Sequence, residues 1–328
     1  YGQDLLDTPH YGEAFWAGRQ RYPEAQSELL NLAADKEQAP MIRATAISLL
    51  GGYPDQTTTS LLQSTIYDPD PLIRYATLTV VQFAEQPELI RDLAVPRLRD
   101  SVKLVRLMAA NSLTAVPRNL IPEGSTEALN AALSEYNASL MINADHPSTH
   151  LNFGNLYLNT GDLEKAEASY KEAIDLEPGL VGPYINLADL YRRMERDEEG
   201  EQILKSGLAK YPELAALHYS LGLLKVRQSE HEEALGYLAN ASKYDPNDPH
   251  YSYVYAIGLN SQQQPEEALA ILKEAVKKHP YDRNILYSLA TISSENGYRD
   301  EALKYAEKLV ENYPQDPNYQ QLYGFLSN

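Results

Sequence analysis

The sequence predicts an all-α fold, an α-α superhelical solenoid in which two arrays of helical repeats follow one another. A proline recurs every 34 residues in the second part of the chain, and an arginine recurs every 31 or 32 residues in the first part. In addition, no run of five or more residues alternates like a strand with turn residues on both sides. Regular self-similarity at a period of roughly 20–50 residues is typical of proteins that stack supersecondary units instead of folding around one core.

The first array is predicted over residues 1–117. Three similar segments begin at Pro40, Pro71 and Lys103: "PMIRATAISLL", "PLIRYATLTVV" and "KLVRLMAANSL". In each, an arginine follows a β-branched residue and precedes small residues at helical spacing. A helix is predicted before each segment, over 24–34, 56–66 and 87–95, and the Asp-Pro pair at 70–71 marks a helix start.

The arginines of these segments are Arg43, Arg74 and Arg106. With their flanking residues they resemble HEAT-type helical repeats. The resemblance implies that an aspartate and an arginine of neighbouring turns form hydrogen bonds that tie one repeat to the next.

Residues 118–146 are predicted to be a linker and a capping helix. Two prolines and a glycine interrupt helix in "VPRNLIPEG", over 116–124. The segment "LNAALSEYNASLMINADHP" follows, and its Ala132 and Tyr136 align with Ala166 and Tyr170 of the second array. We expect this helix to shield the first repeat of that array, because terminal repeats need a cover.

The second array is predicted over 147–328, as five full repeats and a terminal helix from about residue 316. Three kinds of position share the 34-residue period. The prolines are Pro178, Pro212, Pro246, Pro280 and Pro314. The small residues are Gly154, Ala188, Gly222, Ala256, Ala290 and Gly324, with a second series at Ala166, Gly200, Ala234, Ala268 and Ala302. Large apolar residues stand at Phe153, Leu187, Leu221, Tyr255 and Leu289. Small residues let paired helices approach closely, and proline ends the second helix of each pair. The period and these positions resemble the tetratricopeptide-repeat family, which implies a protein-binding solenoid.

Charge and cysteine content exclude several classes of function. The 328-residue chain carries a formal net charge of −18, with 10 Lys/Arg against 14 Asp/Glu over 1–117 and 18 against 32 over 118–328. This acidity makes nucleic acid and anionic lipid poor partners. The absence of cysteine removes thiolate chemistry and covalently attached haem from this sequence. No apolar stretch is long enough for a membrane span.

No catalytic, cofactor-binding or metal-binding residue is predicted. Nucleophile-elbow, phosphate-loop and His-Glu-x-x-His motifs are absent from the sequence. His146 and His150 have the spacing of metal ligands on one helix face, but Pro147 stands between them at a repeat boundary. Packing or solvation accounts for these and for the other histidines, His10 among them. We therefore expect a protein that is not an enzyme and holds no cofactor.

Candidate partner-binding residues fall on the face that is concave in this repeat family. Tyrosines recur at Tyr219, Tyr253 and Tyr287 and could form an amphipathic ridge, although a general preference for tyrosine over phenylalanine would give the same pattern. Asparagines at Asn152 and Asn186 begin a ladder that the later repeats do not continue. Arginines on the same face could hold an acidic segment or a terminal carboxylate; they are Arg192, Arg193 and Arg227.

A wider resemblance covers most of the chain. The stretches "HYGEAFWAGRQRYPEAQSELLNLAAD" and "HLNFGNLYLNTGDLEKAEASYKEAI" look like the C-terminal region of bacterial multihaem c-type cytochromes of the nitrite-reductase and hydroxylamine-oxidoreductase kind. The resemblance implies an exported, periplasmic or extracellular protein that takes part in electron transfer. Two interpretations stay open: a scaffold that docks on a multihaem cytochrome or on copies of itself, and the helical domain of an oxidoreductase whose c-type haem lies in a segment absent here. The start at Tyr1 suggests a removed leader or a piece of a longer chain, and a cytoplasmic adaptor is a further alternative.

Overall fold

The computed structural model describes residues 11–314 and 316–327, and over these residues every regular element is helical. They form nineteen α-helices and three short 3-10 helices, with no strand among them. The predicted all-α, repeat-built fold class is therefore confirmed. His10 lies outside the described residues.

The chain divides into two compact units, which are described separately here. The first contains residues 11–145 together with 156–162, and the second contains 146–155 together with the described residues from 163 onward. The helices of the first unit are α1 (Tyr11–Arg19), α2 (Ala25–Ala34), α3 (Pro40–Leu50), α4 (Gln56–Thr65), α5 (Pro71–Val81), α6 (Pro87–Ala94), α7 (Lys103–Leu113) and α8 (Thr126–Met141).

Helix starts in the first unit follow from the sequence. Pro40, Pro71 and Pro87 each stand in the first turn, where a missing N–H costs nothing. Asp70 caps α5 by accepting a hydrogen bond from the backbone N–H of Leu72. The 116–124 stretch forms 3-10 turns at Arg118–Leu120 and Glu123–Ser125, and α8 then packs on α7 with Leu129 and Ala132 in the core. Its capping of the second array stays a prediction.

A ladder of arginine–carboxylate pairs links successive helix pairs in the first unit. Arg43 donates to the carboxylate of Asp68 at 2.7 Å, and Arg74 donates through Nε and Nη2 to both oxygens of Asp100 at 2.8 Å. Both pairs are buried, with less than a tenth of each side chain exposed. The third arginine, Arg106, instead pairs with Glu135 of α8, and this pair is a quarter to a third exposed.

Burial and the arginine pairs shift the pKa values of the two ladder aspartates in opposite directions. Burial is the largest single influence and alone would raise the pKa of Asp68 and Asp100. Hydrogen bonds from Arg43 and Arg74, hydrogen bonds from backbone N–H groups and the charge of the arginines together outweigh it and hold both pKa values below the usual range. The Arg–Asp contacts expected from the HEAT-type resemblance are thus present between these helices. The assignment to that family stays a prediction.

The second unit consists of helix pairs joined by short turns. Its helices are α9 (Pro147–Thr160, of which only 147–155 belong to this unit), α10 (Leu163–Leu176), α11 (Val181–Arg193), α12 (Asp197–Lys210), α13 (Ala215–Arg227), α14 (His231–Tyr244), α15 (Pro249–Ser261), α16 (Pro265–Lys278), α17 (Arg283–Glu295), α18 (Arg299–Asn312) and α19 (Pro317–Ser327).

The small residues of the repeat are contact points between paired helices. A Cβ at Gly154 would overlap the ring of Tyr170, and a Cβ at Gly222 would come within 2.7 Å of Leu238 Cδ2. Gly200 differs, since a Cβ there would meet its nearest neighbour, the carbonyl oxygen of Ala188, at 3.5 Å. The 34-residue spacing therefore fixes where helices approach, whereas the tightness of each approach depends on the partner side chain.

Each turn inside a helix pair contains one residue with left-handed backbone, again at a spacing of 34. Glycine supplies it at Gly161 and Gly297, with φ of 86° and 81°. Glu195, Ser229 and Gln263 adopt φ of 58°, 63° and 60° at the intervening positions. A non-glycine residue there costs roughly 1 kcal/mol, so the middle turns hold strain that the outer two lack.

A buried lysine joins α12 to α13 and α14 in the second unit. Lys225 is only 4% exposed, and its Nζ lies 3.0 Å from Glu201, 2.7 Å from Glu230 and 3.5 Å from Glu233. Burial alone would lower the pKa of Lys225, but the surrounding carboxylates raise it well above its usual value. The ammonium group therefore stays charged inside the helix stack.

Within the described ranges, none of the helices combines the length and the apolar character that a bilayer crossing requires.

Candidate partner-binding groove

A cavity of about 300 Å³ opens between α11, α13 and α15 in the second unit, and we call it the groove. Its apolar lining consists of Ile185, Ala188, Leu204, Ala216, Leu223 and Leu224. Its polar lining consists of Asp189, Tyr219, Ser220, Arg227 and Tyr251. An apolar surface with a few polar groups at its rim is the usual make-up of a ligand pocket.

Helical spacing along α13 places much of this lining on one face. Ala216, Tyr219, Ser220, Leu223 and Arg227 are connected by steps of three or four residues, from 216 to 219 and 220, then to 223 and to 227, so their side chains share one stripe of the helix. At 1.5 Å per residue, Tyr219 and Arg227 lie about 12 Å apart along the axis. The two ends of the groove therefore differ in chemistry.

The end near Tyr219 is aromatic. The Tyr219 hydroxyl lies 2.9 Å from Nε2 of His250, and the Tyr219 and Tyr251 rings are 5.5 Å apart between centroids, tilted by 55°. Asp248 fixes the start of α15 by accepting a hydrogen bond from the backbone N–H of His250. Burial raises the pKa of both tyrosines, and the carboxylate of Asp248 adds to the rise in each case. The phenols therefore stay neutral, next to a fixed negative charge.

The opposite end carries ion pairs. Arg227 lies 3.4 Å from the carboxylate of Asp197, and Arg192 lies 3.2 Å from that of Asp189. Each of these arginines is thus already paired with an aspartate of the same chain. Arg193 is exposed and has no ion pair among the described residues.

The predicted asparagines occupy a separate place on α9 and α11. Asn186 donates from Nδ2 to Oδ1 of Asn155 at 2.8 Å, and the hydroxyl of Tyr170 donates to the same oxygen at 2.8 Å. Burial raises the pKa of Tyr170 to about 12. Asn152 is exposed on α9 and does not line the groove. The asparagine that meets Asn186 is therefore Asn155, one helical turn beyond the predicted Asn152.

The three predicted tyrosines have different surroundings. Tyr219 lines the groove, whereas Tyr253 approaches the His250 ring at 6.1 Å and Tyr287 approaches the Tyr319 ring at 6.2 Å. Tyr287 is also 44% exposed. Tyr251, which the sequence argument did not single out, is the tyrosine of α15 that reaches the groove. The sequence does not show whether Tyr251 or Tyr253 faces the groove, because that depends on how α13 and α15 pack.

Two of the histidines form hydrogen bonds to residues nearby in the sequence. Nε2 of His218 donates to the carbonyl oxygen of Pro212 at 2.8 Å, and Nδ1 of His146 lies 2.7 Å from the Ser148 hydroxyl. Over residues 11–314 and 316–327, no group of three or more histidine, aspartate or glutamate side chains has an arrangement that could hold a metal ion.

Comparison with protein families bears on the second array. Two family models, both described as tetratricopeptide repeat, match residues 161–224 with 259–324 and residues 219–283. This part of the chain belongs to the tetratricopeptide-repeat family. The groove, whose lining runs from Ile185 to Tyr251, lies within the matched repeats. No curated protein sequence matches the chain significantly.

Solved structures to which this chain is similar include the following three. A crystal structure of MamA protein is 20% identical, covering 53% of this chain and 95% of its own, with a TM-score of 0.43. YrrB, described as a tetratricopeptide-repeat protein with an unusual peptide-binding site, is 22% identical over 56% and 95%, with a TM-score of 0.42. Pseudomonas aeruginosa pilF is 17% identical over 55% and 82%, with a TM-score of 0.45. These matches add no support to the HEAT-type and multihaem-cytochrome resemblances.

Proposed function

We propose that this protein is a non-catalytic interaction scaffold whose tetratricopeptide repeats hold a segment of a partner protein in the groove. The observation that carries the proposal is the apolar floor between α11, α13 and α15, bounded by tyrosines at one end and by arginine–aspartate pairs at the other. The membership of this region in the tetratricopeptide-repeat family supports the same conclusion.

The groove can supply both affinity and orientation. Apolar side chains of a partner would be removed from water when they pack on Ile185 and Leu223. This burial contributes a favourable free energy of roughly 25 cal/mol per Å² of apolar area. Polar groups at the two ends would set the direction of the bound segment. Of the predicted residues, Tyr219 and Arg227 are proposed as direct contacts, and Asn186 with Asn155 as a backbone-binding pair beside the groove.

A steric block of the groove tests the proposal. Ser220 and Ser206 both bond to their own helix backbone, but Ser220 lines the groove and Ser206 is exposed on α12. A displayed library of random peptides would be selected on the wild-type chain and challenged with Ser220→Trp and Ser206→Trp. Selected peptides should lose binding to Ser220→Trp alone. Equal binding to both variants would refute the groove as the site.

The tyrosine series gives a second test. Replacing Tyr219, Tyr253 and Tyr287 by Ala should weaken association while helical content, measured by circular dichroism, is unchanged. Because Tyr219 is the member that lines the groove, Tyr219→Ala alone should reproduce most of the loss. An equal share for each tyrosine would argue for a ridge of tyrosines instead of a groove.

The partner and the compartment are proposed from the sequence resemblance alone. We propose export to the periplasm or the cell exterior, with a multihaem cytochrome or a second copy of the chain as partner. The alternative is that these helices are part of a longer multihaem oxidoreductase. The intact mass and the absorption spectrum of the natural protein decide between them. A haem-free species of 36.8 kDa would rule out the longer enzyme, and a heavier species with c-type haem absorbance would establish it.

A further inference from the structure

We infer that the groove selects a basic partner segment and receives a lysine or arginine side chain at its aromatic end, against Tyr219 and Tyr251. This inference rests on the proposed function and reverses the sign of charge that the arginines of the sequence suggest. Three observations support it: the pairing of Arg192 and Arg227 with aspartates, the aromatic end with its carboxylate, and the charge of the surrounding repeats.

Two of the three arginines predicted on this face already have an aspartate partner, whereas Arg193 has no ion pair among the described residues. Arg227 is paired with Asp197 at 3.4 Å, and Arg192 is paired with Asp189 at 3.2 Å. An incoming carboxylate would compete with an aspartate that is already in place, and it would also meet that aspartate's charge. Binding of an acidic segment at this end therefore gains less than the count of arginines implies.

The aromatic end offers what a cation needs. The Tyr219 and Tyr251 rings contact each other, with their centroids 5.5 Å apart, so a cation would lie on this pair and not between the two rings. Both residues border the groove, and cations are attracted to aromatic faces. Asp248 lies at the start of α15, three residues before Tyr251, and accepts a hydrogen bond from the backbone N–H of His250. Its charge adds to the effect of burial in raising the pKa of both tyrosines. Nε2 of His250 lies 2.9 Å from the Tyr219 hydroxyl. A lysine or arginine stem would lie on the apolar floor with its charged head at this end.

The two ends are far enough apart to act independently. Arg227 lies about 12 Å from Tyr219 along α13, beyond the screening length of roughly 8 Å in physiological salt. Residues 146–328 carry 17 Lys/Arg against 28 Asp/Glu, a net charge of −11. This field attracts basic segments and repels acidic ones before contact.

The experiment uses three fluorescent nine-residue peptides with a central leucine, flanked by lysine, glutamine or glutamate. Affinities for the full chain are measured by fluorescence anisotropy at low and at physiological salt. We expect the order lysine, glutamine, glutamate, with lysine favoured over glutamate by roughly tenfold at low salt. Ser220→Trp should abolish binding of the lysine peptide.

Two matched variants isolate the aromatic end. Asp248 and Asp282 both cap helices, of α15 and α17, and they stand 34 residues apart in equivalent repeat positions. Asparagine caps as well as aspartate, so Asp248→Asn and Asp282→Asn change charge without changing the cap. Asp248→Asn should weaken the lysine peptide by roughly three- to tenfold and leave the glutamine peptide unchanged, while Asp282→Asn changes neither. Tyr251→Leu should act on the lysine peptide alone.

The outcomes separate the two proposals. Glutamine or glutamate peptides that bind as well as the lysine peptide, and that lose binding in Ser220→Trp, would leave the groove as the binding site and overturn the inference about charge. An equal effect of Asp248→Asn and Asp282→Asn would also overturn it. Lysine-peptide binding that Ser220→Trp does not affect would overturn both proposals.

Discussion

Removal of one arginine from the ladder gives a sharp test of how the first unit is held together. Arg74 donates to both oxygens of Asp100 at 2.8 Å and to the backbone carbonyl oxygens of Asp68 and Pro69 at 2.8 and 2.9 Å. Arg74→Met keeps an apolar stem of similar length and removes the two short hydrogen bonds to the buried Asp100 carboxylate, which keeps only the longer contact with Arg97 at 3.5 Å as an ion pair. The side chain of Asp100 is only 3% exposed, so water cannot replace the guanidinium.

The expected cost follows from this geometry. Breaking one partner out of a buried pair destabilises a protein by about 3–5 kcal/mol, whereas an exposed pair contributes about 0–1 kcal/mol. The control is Lys277→Met, because Lys277 and Glu274 form an ion pair at 2.5 Å with two-thirds or more of each side chain exposed. The destabilisation by Arg106→Met should lie between those of Arg74→Met and Lys277→Met, since the pair of Arg106 with Glu135 is a quarter to a third exposed.

Differential scanning calorimetry of the full chain, with urea unfolding monitored by circular dichroism, measures these differences. For a unit of about 150 residues, 3–5 kcal/mol corresponds to a fall in Tm of roughly 6–20 °C. The double variant Arg74→Met with Asp100→Leu should recover part of the loss, because no lone buried charge remains. It should not recover all of it, since Asp100 also accepts from the backbone N–H of Val102 at 3.0 Å. A cost for Arg74→Met equal to that for Lys277→Met would refute the ladder as a stabilising element.

Three further predictions concern stability. Gly154→Ala should destabilise the second unit by about 1–3 kcal/mol, because the new Cβ overlaps an aromatic ring. Gly200→Ala should stabilise it by about 0.5–1 kcal/mol, because the methyl group fits and the helix interior is stiffened. Urea unfolding would contradict this reasoning if both variants changed stability in the same direction. The pKa of Asp100 is lowered in the folded state, so its contribution to stability is fully present above the unfolded pKa near 4 and is lost as pH falls through the lower folded value. Calorimetry from pH 6 to pH 2 should therefore show Tm falling more steeply in the wild type than in the Arg74→Met, Asp100→Leu double variant. Parallel curves would exclude Asp100 as a cause of the pH dependence. Lys225→Met should destabilise the second unit by about 1–3 kcal/mol, because it removes three charge-assisted contacts. The control Lys205→Met removes an exposed partner of the same Glu201 and should cost under about 1 kcal/mol. Thermal unfolding curves that shift equally would show that burial of the ammonium group is unimportant.

The sequence predicted most helix positions because the repeats are local. Proline at a helix start, a small residue at a helix contact and a proline after the second helix act within about one repeat, so their effect is visible without tertiary information. The predicted helices over 24–34, 56–66 and 87–95 agree with α2, α4 and α6 within a residue or two at each end. The same locality explains why the left-handed turn positions keep the 34-residue period even where glycine is absent.

The groove could be predicted only in part. Tyr219 and Arg227 were identifiable because they share one face of a single helix, α13. Tyr251 and Asp189 come from neighbouring helices, and which of their side chains reach α13 depends on how the helices rotate against each other. Sequence spacing sets the period of a repeat but not that rotation.

Sequence alone thus determined the repeat period, the helix order and the absence of thiol chemistry, since these depend on residue type and position along the chain. The tertiary structure decided which charges are available. Arg192, Arg193 and Arg227 indicate an anion site in the sequence, but folding places an aspartate within 3.4 Å of Arg192 and Arg227. The sequence shows which side chains are charged. Whether a charged side chain can bind a partner depends on the groups that already contact it, and the packing of the helices decides which groups those are.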